Sequence, residues 1–303
     1  MLLFAAEGAG PLGHVLDKNL IGGPGALIKP YGMPIVTMHM VTLVLSAFLM
    51  YWLLKTAAKA IATGPSTEGN DRYRTRGRLS QMVEVITLYL RDNMIRPVLG
   101  GQTNKYMPFL MTVFFFILLN NVVGLVPLLD LQHLIGAFFG NADFAVVGGT
   151  ATSNLAVTGA LAFIAFVVMQ VHGFRELGVG GWFAHLTAGA PWFVAPLMIV
   201  VELLGVFIKP AALAIRLFAN MLAGHTLLAV IAGFGLMAFK GLDSVLAGLG
   251  VSLVSGLFAV AIGFLELFVA FLQAFIFMFL TAIFIAQLSH HDDHEHDAEV
   301  AHA

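Results

Sequence analysis

The stretch Ile208-Lys209-Pro210-Ala211-Ala212-Leu213-Ala214-Ile215-Arg216-Leu217-Phe218-Ala219-Asn220-Met221-Leu222-Ala223-Gly224-His225 places an arginine in the middle of a long apolar segment. A guanidinium keeps its proton at any pH a protein meets, so Arg216 has no neutral form to hide in. Placing such a residue at the centre of a membrane helix costs roughly 2.5–3.5 kcal/mol on insertion scales. A chain that carries the cost has a use for a fixed positive charge at that depth.

The composition around this stretch places it in a membrane. Of 303 residues, 59% are hydrophobic and 11% charged, and the mean hydropathy is +0.91. A soluble domain carries about 25% charged residues. The net charge of −2 carries little information, because the charges are so unevenly placed. Without cysteine there is neither a disulfide framework nor a thiolate metal site. The opening Met1–Glu7 lacks a basic n-region and reads as part of the mature chain.

Residues 1–32 are rich in Gly and Pro and read as an extracytoplasmic segment of loops. A transmembrane domain is predicted over 33–289. Its first span runs from about Pro34 to Leu54, close to the ~20 residues a bilayer needs. Residues 55–106 hold nine of the 15 Lys and Arg residues, which predicts a cytoplasmic loop. Within it Leu79, Met82, Val83, Ile86, Tyr89 and Leu90 recur at three- and four-residue spacing, the pattern of an amphipathic interfacial helix. Arg72 to Arg78 read as a topology signal at lipid headgroups, and a loop tethered between spans is a poor nucleic-acid binder.

The second span is predicted from about Met107 to Leu129, and the third from about Asn154 to Val171, with Arg175 and Glu176 marking a short inner connection. Two very long apolar stretches follow, about Pro191 to Phe239 and Ser244 to Leu288. As continuous helices they would run ~73 Å and ~67 Å, against a bilayer core of ~30 Å. A pair of long tilted helices is favoured over broken ones, because a turn facing lipid leaves backbone groups unsatisfied. Lys240-Gly241-Leu242-Asp243 would be the hairpin between them. The fold class is therefore all-α and polytopic, with about five transmembrane helices. The tail 290–303 is rich in His and acidic residues; it could bind a divalent metal, but its composition is that of a solvated cytoplasmic tail. No metal or cofactor site is assigned.

The two long stretches carry Glu202, Lys209, Arg216, Asn220, His225, Glu266 and Gln273. Glu202, Lys209 and Arg216 are seven apart and drift only about 20° per step, so they form one stripe. Asn220 lies one turn beyond Arg216 and about 40° away. Glu266 and Gln273 share a stripe on the last segment. Nine residues from Arg216, His225 falls on the opposite face unless the helix kinks or the site wraps round. In an antiparallel hairpin Glu266 can lie near His225. The set reads as proton-exchanging groups on both sides of a permanent cation, with Glu202 ~21 Å to the inner side and His225 ~13 Å to the outer side along the axis. Plainer roles compete: Asn220 and Gln273 as interhelical hydrogen-bonding groups, Glu202 and Lys209 as an ion pair, His225 and Glu266 as a satisfied buried pair.

The run from Ala214 to His225 resembles the signature of subunit a of the F-type ATP synthase. Leu272-Gln273-Ala274-Phe275-Ile276-Phe277 resembles that family's final-helix motif, and Asn120-Asn121-Val122-Val123-Gly124-Leu125-Val126-Pro127 supports the match. Ala219 stands where the family usually has Gly. The resemblance implies a stator subunit of a proton-translocating ATP synthase, non-catalytic on its own, that offers two proton half-channels to a rotating c-ring. It implies that Arg216 separates the half-channels and that His225 and Glu266 form the outer pair, with His and Glu placed as in mitochondrial-type members. Glu202 would serve the inner path, and Asn220 and Gln273 would line the contact with the ring. Implied partners are the c-ring, the peripheral-stalk b subunits, the rest of the F1Fo complex and the bilayer. The missing targeting peptide and the His-rich tail favour a bacterial inner membrane as the expected location, with the mitochondrial inner membrane as the alternative. Two rival readings remain: a secondary transporter whose Arg216 binds an anionic substrate, and an intramembrane enzyme using His225 and Glu266 as acid and base.

Overall fold

In the computed structural model the described residues are 19–21, 36–60, 75, 77–126, 128, 132, 150–187, 191–241 and 245–288. The predicted N-terminal segment (apart from 19–21), Leu242 and Asp243 of the predicted hairpin, and the tail 290–303 lie outside them, whereas Lys240 and Gly241 of that hairpin are helical. A short antiparallel pair, β1 (Asn19–Ile21) and β2 (Val36–Thr37), precedes α1 (Met38–Ala60). Then come α2 (Arg78–Tyr89), a π-helical turn at Leu90–Ile95, the short α3 (Arg96–Leu99), a 3₁₀ turn at Gly100–Gln102 and α4 (Thr103–Leu125). A 3₁₀ turn at Ala151–Ser153 leads into α5 (Leu155–His185), followed by α6 (Ala195–Gly241) and α7 (Val245–Gln287).

Five stretches are long and apolar enough to cross a membrane. They leave large apolar side chains facing outward: on α7, Leu253, Leu257, Phe264 and Phe268 are all exposed. A water-soluble surface could not carry such faces, whereas lipid solvates them. The interior side of the same helix packs Ala270, Ala274, Phe277 and Met278, all fully buried. As predicted, α6 and α7 are unbroken, at 47 and 43 residues. Pro210 sits within α6 and the helix continues through it.

Other boundaries shift from expectation. The first two spans are displaced by about one turn, to Met38–Ala60 and Thr103–Leu125. Arg175 and Glu176 do not mark a loop but lie in α5, which continues to a break at Gly178, where φ is 67° and ψ is 173°. Glu176 pairs there with Lys105 of α4 at 2.7 Å. Beyond Gly178 the chain folds back on α5: Trp182 stacks on Phe174 at 4.8 Å and donates its indole N–H to Gln170 at 3.2 Å.

The chain divides into two compact units whose boundaries fall inside the long helices: Met1–Leu49, Phe116–Thr158 and Ile215–Gln273, and Met50–Phe115, Gly159–Ala214 and Ala274–Ala303. In the second unit His172 of α5 is 2% exposed. Its Nδ1 meets the Tyr106 hydroxyl of α4, its ring also bonds the Ile285 carbonyl of α7, and Glu176 lies 3.7 Å away. One imidazole thereby ties three helices together.

The backbone at Gly178 lies in a region open essentially to glycine alone. Gly178→Ala should lower the stability of the detergent-solubilised protein by about 1–3 kcal/mol. Gly180→Ala, in helix with open space around its Cβ, should be neutral or slightly stabilising. Thermal unfolding of both variants checks the contrast, and equal midpoints would contradict it.

Candidate functional site

Within the first unit, α6 and α7 bring His225 and Glu266 together, with Nδ1 3.5 Å from Oε1. Glu266 is 3% exposed, and its carboxyl oxygens have no hydrogen-bond partner among the described residues. A lone buried carboxylate is costly, so a proton in this pair has two resting places. It makes Glu266 a neutral acid beside a neutral imidazole, or it makes an ion pair.

Two glycines allow this placement. An added Cβ on Gly224 would stand 2.6 Å from Glu266 Oε1, so the bare backbone of α6 is what admits the carboxyl beside His225. Gly124 at the end of α4 is bare where Thr150 presses against it. Thr150 in turn holds His225 through Nε2. Asn121 steadies the same region: its amide donates to the Ala270 carbonyl at 3.4 Å, and its carbonyl accepts from Thr152 at 2.7 Å. The Asn-Asn-Val-Val-Gly run, only a supporting motif in the sequence, is therefore part of the scaffold around His225.

Asn220 donates to Gln273 Oε1 at 2.8 Å, the interhelical bond the sequence allowed. Gln273 is buried while Asn220 is exposed. Arg216, near the midpoint of α6, is exposed and makes no hydrogen bond or ion pair with any described residue. Its face also exposes Ile215, Ala219, Asn220, Ala223 and Leu227. The guanidinium thus projects from a mostly apolar surface on which Asn220 is the polar neighbour, its amide donated to Gln273.

In the second unit, Lys209 lies 3.4 Å from Glu202 and 3.5 Å from the Gln287 side-chain oxygen. Together with Gln170 these groups line a cavity of ≈ 40 Å³. That is room for about one or two waters among polar partners. Of the predicted residues, the structure pairs His225 with Glu266, Asn220 with Gln273, and Glu202 with Lys209, and leaves Arg216 unpartnered among the described residues. Sequence reasoning missed Thr150, Thr152 and Asn121 as supports of the His225 region. Only the glycine at 124, read as a point of close approach, could have hinted at them.

Comparison with known proteins identifies the family. The family described as ATP synthase A chain matches residues 35–286. ATP synthase subunit a of Myxococcus xanthus is 42% identical over 268 residues, covering 86% of this chain and 75% of its own. ATP synthase subunit a 2 of Chlorobaculum tepidum is 35% identical over 271 residues, covering 88% and 68%. ATP synthase subunit a 2 of Prosthecochloris aestuarii is 33% identical over 301 residues, covering 94% and 80%. With its membrane-crossing helices and its intramembrane polar residues in place, this chain belongs to the ATP synthase subunit a family.

Proposed function

We propose that the protein is the proton-conducting stator subunit of a bacterial F1Fo ATP synthase and that Arg216 faces an acidic residue of a rotating c-ring. The observation that carries the reading is the exposed guanidinium on a mostly apolar face, unpartnered among the described residues. Lipid cannot solvate that charge, so an ionisable group of another chain is the partner that offsets it. Ala219 and Ala223 beside it permit close helix approach, as small residues do at membrane helix interfaces. A transporter of anionic substrates would also use a fixed cation, but family membership favours the synthase.

In this reading the domain over 33–289 is the proton channel, and the basic loop faces the cytoplasm. A proton enters from the outer side through the His225–Glu266 pair and passes to a ring carboxylate, which becomes neutral and rotates into lipid. After nearly a full turn it reaches the Glu202 side and is released inward through the polar cavity. Asn220 and Gln273 line the ring contact. Arg216 favours the ionised carboxylate and so closes the direct route between the two half-paths. A membrane potential supplies about 2.3 kcal/mol per charge per 100 mV to drive the cycle. The b subunits would anchor the chain to the peripheral stalk. ATP chemistry belongs to other subunits.

Arg216→Ala should abolish proton-driven ATP synthesis in the assembled complex and permit passive leak across Fo. An assembled variant with full coupled synthesis would overturn the proposal. Gly224→Val should displace the Glu266 carboxyl and sharply reduce synthesis, whereas Gly233→Ala, with open space at its Cβ, should leave the rate unchanged. Rates in reconstituted vesicles check this pair; equal rates would contradict the assigned outer site.

A further inference from the structure

The hydrogen-bond ladder of α6 has a gap at Pro210. Proline carries no N–H, so the Val206 carbonyl lacks the donor that a helix ordinarily supplies four residues on. The spacing of Glu202, Val206, Lys209 and Pro210 sets the four along one face of the helix. All of them line the cavity of ≈ 40 Å³ in the second unit, together with Gln170 of α5 and Gln287 of α7. The Gln170 side-chain oxygen accepts the Trp182 indole N–H at 3.2 Å, which leaves the amide N–H groups of Gln170 to serve as donors. The wall therefore offers a carboxylate, a backbone carbonyl released by proline and an amide donor. A buried water makes about three such bonds.

Lys209 is the cation and Glu202 the anion among the described residues that line this cavity. The ammonium lies 3.4 Å from Glu202 Oε1, 3.5 Å from Gln287 Oε1 and 5.5 Å from the centre of the Phe284 ring. Contacts from α6 and α7 thus hold it in one place. A partly exposed ion pair of this kind contributes little to stability; what it fixes is the position of the carboxylate. The Glu202 side chain is 27% exposed, so it is open to another chain as well as to the cavity.

We infer that Lys209 is a positioning residue: it holds the Glu202 carboxylate against a water site whose other acceptor is the Val206 carbonyl that Pro210 leaves without a donor. The inference rests on the function proposed above, in which protons reach Glu202 from the ring. Glu202 accepts a proton as an O–H, passes it to a water in the cavity and returns to the carboxylate. That water hands a proton inward and is restored, so only O–H bonds form and break. Lys209 keeps its own protons throughout.

Three variants of the whole complex, reconstituted in vesicles, test this. Lys209→Met, of similar length but uncharged, should slow proton-driven synthesis about tenfold, the scale on which a misplaced reacting group loses rate. It should also raise the solvent deuterium isotope effect on proton conduction, because transfer to the water becomes the slow step. Lys209→Arg keeps the charge and should keep most of the rate. An undiminished rate in Lys209→Met, a loss with an unchanged isotope effect, or an equal loss in Lys209→Arg would mean packing alone and overturn the inference. Pro210→Ala gives α6 back its missing N–H without endangering the helix. By occupying the Val206 carbonyl it should slow synthesis about threefold, in keeping with one lost hydrogen bond to water. A native rate in Pro210→Ala would remove the water site and overturn the inference, even if Lys209→Met failed to assemble. Full coupling in Arg216→Ala would instead sink the parent reading, so the two failures are told apart.

Discussion

A permanent cation with no counter-charge among its own chain's described residues is the constraint on which the rest depends. Arg216 sits near the midpoint of a helix whose neighbouring exposed positions are Ile215, Ala219, Asn220, Ala223 and Leu227. Neither lipid nor the apolar side chains can solvate it, and the Asn220 amide is donated to Gln273. In the assembly proposed above, an acidic residue of a neighbouring chain offsets that cost. The guanidinium never discharges, so it cannot itself relay a proton, and its proposed role is to hold a passing carboxyl ionised.

The pair proposed to exchange protons is arranged on different terms. His225 and Glu266 are held inside the chain, and their geometry depends on absent side chains as much as on present ones. Gly224 leaves space for a carboxyl against the α6 backbone, and Gly124 leaves space for the Thr150 that holds the imidazole. The surrounding polar groups of α4 and the 3₁₀ turn are bonded to one another or to backbone, as with Thr152, Asn121 and the Ala270 carbonyl. A polar interior of this kind is costly in a membrane protein and persists where ions or protons must cross.

Much of this was legible in the sequence. The helices announced themselves through length and hydropathy, and the two long ones through the cost of breaking a helix in lipid. Heptad spacing put Glu202 and Lys209 on one stripe, and they pair at 3.4 Å. Antiparallel counting brought Glu266 to His225 even though helical angles placed His225 away from Arg216. The fold-back after Gly178 was not legible, because a single glycine in an apolar run gives no sign of its φ. Nor were the contacts of Thr150 and His172, which join residues 75 and 66 positions apart. Local periodicity cannot report such distances.

The most direct measurement is a structure of the purified complex in which the surroundings of the Arg216 side chain are resolved. The account predicts a carboxyl group of a neighbouring ring subunit opposite the guanidinium, with Ala219 and Ala223 against the same neighbour. A guanidinium facing lipid or bulk water at a membrane surface, or one paired only within its own chain, would contradict it.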